Sequence, residues 1–350
     1  MGKVINGIQQ IGIGVAHAKE VFNWYRKHLG FDILVFEDES KADLMTRYTA
    51  GNIEDRYAIL AMNMVGGGGL EIWQFKSRTP QASKNEFQLG DLGINVMKLR
   101  TKNLGKTHER FKRISLGNLT EVYFDSYFFF TDPWGNWVQI VQDDYCFFSS
   151  KSSSGGVLGA IIGVSDIGDS LSFYQKVLGY TVIVSDTTDT FTEFSKISGG
   201  HRPFRKVVLT HENRKFGGFG ELYGPSQIEL VQVLERSPNT IYENRLWGDL
   251  GYIHLCFDIS GLNALKDETD KLGYHFKVDS ADSFDMGDAA GRFAYMEDPD
   301  GTLIELVETH KVPIFKRLGI HINLKKRNPF KPLPKWVVGA LRMHRRTVDI

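Results

Sequence analysis

The chain has 350 residues, 42% hydrophobic and 24% charged, with a formal net charge of zero, which excludes a disordered chain and leaves room for two domains with their own cores. No apolar run reaches the length of a membrane span, Met1 to Ile5 lacks the regions of a secretory signal, and Cys146 and Cys256 are too few for a disulfide framework. A cytoplasmic address is the expectation, and the neutral balance hides an asymmetry: Lys311 to Ile350 holds eleven Lys or Arg against one acid, Asp349.

In chain order the sequence reads as four copies of one unit, strand, helix and three strands. The first opens with a strand at Ile8 to Val15. A helix over Ala18 to Leu29 follows, with Val21, Phe22 and Tyr25 at helical spacing and Gly30 as its stop. Strands near Phe31 to Phe36 and Tyr57 to Met62 lead through the turn Gly66 to Gly69 into Leu70 to Phe75. The second copy runs from a strand at Leu92 to Met97 through a helix at Leu104 to Arg113. A strand over Tyr123 to Thr131 then meets the turn Asp132-Pro-Trp-Gly135 and the strand Asn136 to Val141.

Ser149 to Gly156 is small and polar and predicts a flexible linker that divides the chain. The third copy has a strand at Leu158 to Val164, a helix carrying Leu171, Phe173 and Tyr174 that ends at Gly179, and a last strand over Pro225 to Val233. The fourth spans Leu250 to Glu308. In its strand Tyr252 to Ile259, alternation sets His254, Cys256 and Asp258 on one face and Leu255, Phe257 and Ile259 on the other. Its turn Asp298-Pro-Asp-Gly301 and following strand match the second copy almost residue for residue, so Glu305 stands where Gln139 stands.

Four such modules, the Phe-Tyr…Leu-Gly-Phe/Tyr helix ends, the Asp-Pro-x-Gly hairpins and a last strand with an inward acid resemble the vicinal oxygen chelate superfamily. That group includes glyoxalase I, methylmalonyl-CoA epimerase, extradiol dioxygenases and fosfomycin and bleomycin resistance proteins. The resemblance covers roughly residues 5 to 308 and implies an α+β fold of four tandem βαβββ modules forming two glyoxalase-like domains. The expected divisions are modules 1 and 2 in 1–148, a linker at 149–156, modules 3 and 4 in 157–310, and a basic extension at 311–350.

The resemblance also implies ligand positions on the first and last strands of each module. They are Gln10 and Glu71, Val96 and Gln139, Gly159 and Glu229, and His254 and Glu305. Chain-order pairing would leave two broken sets, Gln10, Glu71, Val96 and Gln139 in one and Gly159, Glu229, His254 and Glu305 in the other. Pairing the outer modules instead, as in duplicated glyoxalases I, collects Gln10, Glu71, His254 and Glu305 as a metal set. The losses Val96, Gln139 and Gly159 then fall in the inner pair. Gln9 is the competing inward residue should the register slip by one. One imidazole, two carboxylates and an amide suit a divalent ion, zinc first, with nickel, iron and manganese as alternatives. Glu71 and Glu305 are the candidate bases, and Trp73 is a candidate apolar wall.

The implied function is a metal-dependent lyase or isomerase acting on a small molecule, with a thiol adduct as one candidate substrate. An extradiol dioxygenase and a non-catalytic binding protein of the resistance type, with its ligand beside Trp137, are the alternatives. A monomer is expected, and no nucleic-acid partner. His17, His28, His108, His201, His211 and His275 read as structural. In the tail, Trp336, Val337, Ala340, Leu341 and His344 fall near one helical stripe, predicting a helix packed on the protein's own body. Peripheral contact with an acidic membrane is the weaker reading.

Overall fold

The computed structural model describes residues 2–150, 152–281, 284–286, 289–315 and 320–346. Module 1 consists of β1 (Val4–Gly14), α1 (Ala18–Leu29), β2 (Ile33–Lys41), β3 (Asp55–Met62) and β4 (Gly69–Phe75). Module 2 has β5 (Gly93–Thr101), α2 (Leu104–Arg113), β6 (Tyr127–Thr131) and β7 (Trp137–Gln142). Here the three-strand expectation is met by two strands plus Gly117 and Tyr123, which make isolated bridges to Thr131 and Tyr127. Module 3 comprises β8 (Val157–Gly163), α3 (Ile167–Lys176), β9 (Val182–Asp189), β10 (Phe204–Thr210), α4 (Gly220–Tyr223) and β11 (Gln227–Val233). Module 4 comprises β12 (Gly251–Ser260), α5 (Leu262–Lys271), β13 (Val278–Asp279), β14 (Phe284–Met286), β15 (Ala289–Glu297) and β16 (Leu303–Phe315), followed by β17 (Ile320–Asn323) and α6 (Lys335–Gly339).

The modules pair as outer with outer and inner with inner. One sheet runs β13-β15-β16-β12-β1-β4-β3-β2, joining modules 4 and 1 through the antiparallel β1 and β12. The other runs β6-β7-β5-β8-β11-β10-β9, joining modules 2 and 3 through β5 and β8. Each sheet therefore takes one module from each half of the chain. The alternating strands send Ile11, Ile13, Leu255 and Phe257, with their counterparts Leu99 and Ile162, into one large core shared with Tyr25, Phe111, Phe173 and Leu265 of the helices. The opposite faces are concave and hold two smaller clusters.

Helix and hairpin motifs are bonded to each other across modules. Tyr25 of α1 donates its hydroxyl to Asp132 Oδ2 at 2.8 Å, and Tyr174 of α3 donates to Asp298 Oδ2 at 3.0 Å. Each aspartate also accepts backbone N–H groups of its own turn: Trp134 and Asn136 for Asp132, Asp300 and Thr302 for Asp298. A buried tyrosine hydroxyl needs such a partner, so the repeated residues are explained by one repeated contact.

The expected flexible linker is corrected at its C-terminal end, while Ser149 and Ser150 are exposed. Ser154, Gly155 and Gly156 are buried. Ser154 Oγ donates to Leu29 O at 2.9 Å, and Gly156 N donates to Gly66 O at 2.8 Å. Gly68 and Val157 exchange backbone bonds in both directions. A Cβ on Gly67 would lie 2.5 Å from Gly156 C, so the glycines permit two backbones to touch. Composition alone cannot separate a solvated glycine-serine linker from a tight backbone crossing.

The tail does pack on the body, but with a different stripe. Val337 and Val338 are buried with Leu333, Ile33 and Met62, Leu341 packs against that cluster, and Trp336 is 68% exposed. The helix is only Lys335–Gly339, and it continues as a 3-10 turn over Ala340–His344. That tighter turn changes the spacing on which the expected stripe rests.

Candidate metal centre

The centre is built where β4, β1, β12 and β16 lie side by side. On β1, Gly12 faces His254 of β12 and Glu71 of β4, while Gln10 faces Cys256, which itself lies beside Glu305 of β16. Gln10, Glu71, His254 and Glu305 therefore meet on the concave face, all buried. The open choice between Gln9 and Gln10 is resolved by a β-bulge between Ile8 and Gln10. Gln10 turns inward, and Gln9 accepts a hydrogen bond from Cys256 Sγ at 3.3 Å.

Glu71 Oε2 and Glu305 Oε2 lie 3.2 and 3.1 Å from His254 Nε2. Gln10 Nε2 donates to both, at 2.9 Å to Glu71 and 3.2 Å to Glu305. Yet both imidazole nitrogens and Gln10 Oε1 are buried without a well-formed hydrogen bond. Burial opposes a charge on His254, but Glu305 and Glu71 outweigh it and hold its pKa up to about 9. Burial would raise the Glu305 carboxyl, but His254 pulls it below the usual range.

The room for the imidazole comes from Gly12. A Cβ there would stand 2.4 Å from His254 Cε1 and 2.6 Å from Nε2. The wall expected from Trp73 is present: Trp247 meets it edge-on at 4.5 Å between ring centroids, and the Arg56 guanidinium lies 4.7 Å over its ring. Sequence reasoning missed Trp247 and Tyr295. Tyr295 faces Glu305 across β15 and β16, with its ring edge-on to His254 at 5.5 Å. Aligning the two Asp-Pro hairpins would have found it, since Phe129 faces Gln139 in the same way.

The inner pair lacks such a centre, and the reason includes a residue the sequence reading passed over. Lys98 on β5 holds the register position of Cys256, facing Gly159 and lying beside Gln139. Its Nζ reaches Glu229 Oε2 at 2.5 Å, and both side chains are buried. A cation tethered to the chain thus meets the remaining acid. Gly159 has no space for a side chain, since a Cβ would fall 1.8 Å from Gln227 O. Trp137, expected beside a ligand in one reading, belongs to a buried cluster with Phe129, Ile161, Phe194 and Phe204 that fills this face.

The family model described as Glyoxalase/Bleomycin resistance protein/Dioxygenase superfamily matches residues 7–140 and 157–306. The chain belongs to this superfamily. Among solved structures, glyoxalase I from Zea mays is similar with a TM-score of 0.53 and 14% identity, over 88% of this chain and 92% of that one. A putative dioxygenase from Bacillus subtilis gives 0.56 and 16% identity, over 88% and 86%. At these identities the superfamily likeness establishes the fold. Comparison with curated proteins found no match. Among the described residues, Glu71, His254 and Glu305 form a group of donor atoms within 4.8 Å of one another, and no helix is long and apolar enough to cross a membrane.

Proposed function

We propose that this protein is a divalent-metal-dependent lyase or isomerase of the glyoxalase type, acting on a small carbonyl compound such as a thiol adduct. The convergence of Gln10, Glu71, His254 and Glu305 carries the reading. Two ligands each about 2.1 Å from one ion stand about 3.0–3.4 Å apart, and the carboxylate to imidazole distances are 3.1 and 3.2 Å. The imidazole nitrogens and Gln10 Oε1, buried without well-formed hydrogen bonds, are the atoms that would turn to an ion, with His254 releasing its proton as the ion binds. A half-turn of the Gln10 amide would bring its oxygen to the side now taken by Nε2.

Bound there, a first-row divalent ion, zinc first, would polarise a substrate carbonyl and stabilise negative charge developing beside it. The protein's own part is proton transfer and exclusion of water. Glu71 and Glu305 approach from opposite modules. One takes the proton from the carbon next to the carbonyl, and a carboxylate returns it to the adjacent carbon. Gln10 holds both acids through Nε2 before an ion binds and would give up those bonds when its oxygen turns to the ion, and Trp73, Trp247 and Tyr295 keep the surroundings apolar.

Elemental analysis of the purified protein, followed by turnover of methylglyoxal with several thiols, tests the reading. One metal per chain is expected. Glu305→Gln keeps an oxygen donor but loses the base, so turnover should fall about 10²–10⁴-fold in protein that still folds and holds metal. A protein that takes up no metal, or a variant as active as the parent, would exclude this function.

A further inference from the structure

Residues 320–346 carry Lys325, Lys326, Arg327, Lys331, Lys335, Arg342, Arg345 and Arg346 and no Asp or Glu. The inner side of this segment is anchored. Leu333 N donates to Gly218 O at 2.8 Å, Arg346 N donates to Asp32 O at 2.8 Å, and Leu333, Val337 and Val338 are buried. On the outer side, Phe330 is 50%, Trp336 68% and Met343 66% exposed. Trp336 lies on α6 and Met343 on the 3-10 turn that continues it, and both side chains stand in solvent. Lys335 and Arg342, next to them in the chain, lie over the Phe148 ring of the body, at 5.0 and 4.3 Å from its centroid.

Beside this segment, a cavity of about 540 Å³ is lined by Arg342 and Arg345 from the tail and Arg26, Lys27 and Arg110 from the body, with Asp32 as its acid. Asp32 pairs with Arg345 at 3.1 Å and Arg110 donates to His28 O at 3.0 Å, so the lining keeps a net positive charge that favours an anion. The His28 imidazole reports that field, since burial lowers its pKa first and Lys27 and Arg110 lower it further. Singly exposed tryptophan and methionine side chains among cations offer no continuous groove to a protein partner. They suit a lipid interface, where an indole rests at headgroup level and basic residues meet anionic phosphates.

We propose that the C-terminal extension seats this protein on an anionic phospholipid surface, with Trp336 and Met343 entering the interface and the cationic seam receiving headgroup phosphate. The full-length protein should cosediment with vesicles of phosphatidylcholine mixed with phosphatidylglycerol, fail to do so with phosphatidylcholine alone, and dissociate as salt is raised. Lys326→Gln and Lys331→Gln should each weaken binding about five-fold. Trp336→Ala with Met343→Ala should weaken it further without lowering the melting temperature, since neither side chain is buried. Absence of cosedimentation, equal binding to both vesicles, or variants that bind like the parent would each overturn the proposal. Stabilisation by inorganic phosphate without vesicle binding would reassign the seam to a soluble anion and would overturn it as well.

Discussion

At the residue scale, Lys98 and Cys256 occupy equivalent places in the two sheets, and the difference between them separates the two concave faces. Cys256 leaves Glu305 to His254, whereas Lys98 neutralises Glu229 directly. Glu229→Gln should therefore leave the metal content of the folded protein unchanged but destabilise it by about 3–5 kcal/mol, because a buried ammonium loses its partner. Denaturant titration beside elemental analysis reads both quantities. An unchanged midpoint would mean that the ion pair contributes nothing.

Asp258, on the same strand as His254 but further from the centre, makes a pH test. Burial raises its carboxyl to about 7, Asn6 works against this by hydrogen bonding, and Glu308 adds to the rise. Unfolded, such a group ionises near pH 3.9. Between about pH 4 and 7 the folded protein thus holds a proton that the unfolded chain has released. By linkage, stability falls as pH rises through that window and levels above it. Asp258→Asn can still accept from Asn6 but cannot ionise, so its stability should decline less over that window and exceed the parent's at pH 8 by up to about 4 kcal/mol. Identical pH profiles for variant and parent would show that Asp258 is not the group responsible.

At the scale of elements, the glycine crossing matters more than its composition suggests. Gly67 has φ +120°, and its missing Cβ is replaced by the backbone of Gly156. Gly67→Ala combines an unfavourable backbone conformation with a clash against main chain, for about 2–5 kcal/mol of lost stability. Gly135, at φ +86° in the Asp-Pro-Trp-Gly turn, has open space where its Cβ would go. Gly135→Ala should cost only the conformational part, near 1 kcal/mol. Equal losses in the two variants, measured by thermal melting, would show that the crossing is not tight.

At the scale of the molecule, the two kinds of repeat contact run in different directions. The tyrosine to aspartate bonds join neighbouring modules within each half, and the sheets join modules across halves. Residues 1–150 alone would keep Gln10 and Glu71, and 157–350 would keep His254 and Glu305. Each fragment should bind zinc weakly, and mixing should restore tight binding, as titration calorimetry would record. Native affinity in 157–350 alone, unaffected by the other fragment, would sink the outer-pair centre.

By itself the sequence showed the four modules, because periodicity, Asp-Pro-x-Gly turns and helix-ending glycines are local signals repeated along the chain, and the resemblance these signals carry implied the α+β class and the residues at ligand positions. His108, His211 and His275 also behave as read, bonded to Thr120 O, Gly179 O and Asp270. The bulge at Gln9, the Lys98 to Glu229 bond and the buried Ser154 to Gly156 crossing were decided only by the tertiary structure, which also chose the expected outer pairing, β1 with β12, over chain-order pairing. Each depends on which strand lies opposite, and a strand's own alternation carries no record of its neighbour. Register between strands far apart in sequence is set by the packing of both faces at once, and that is where four separated side chains became one centre.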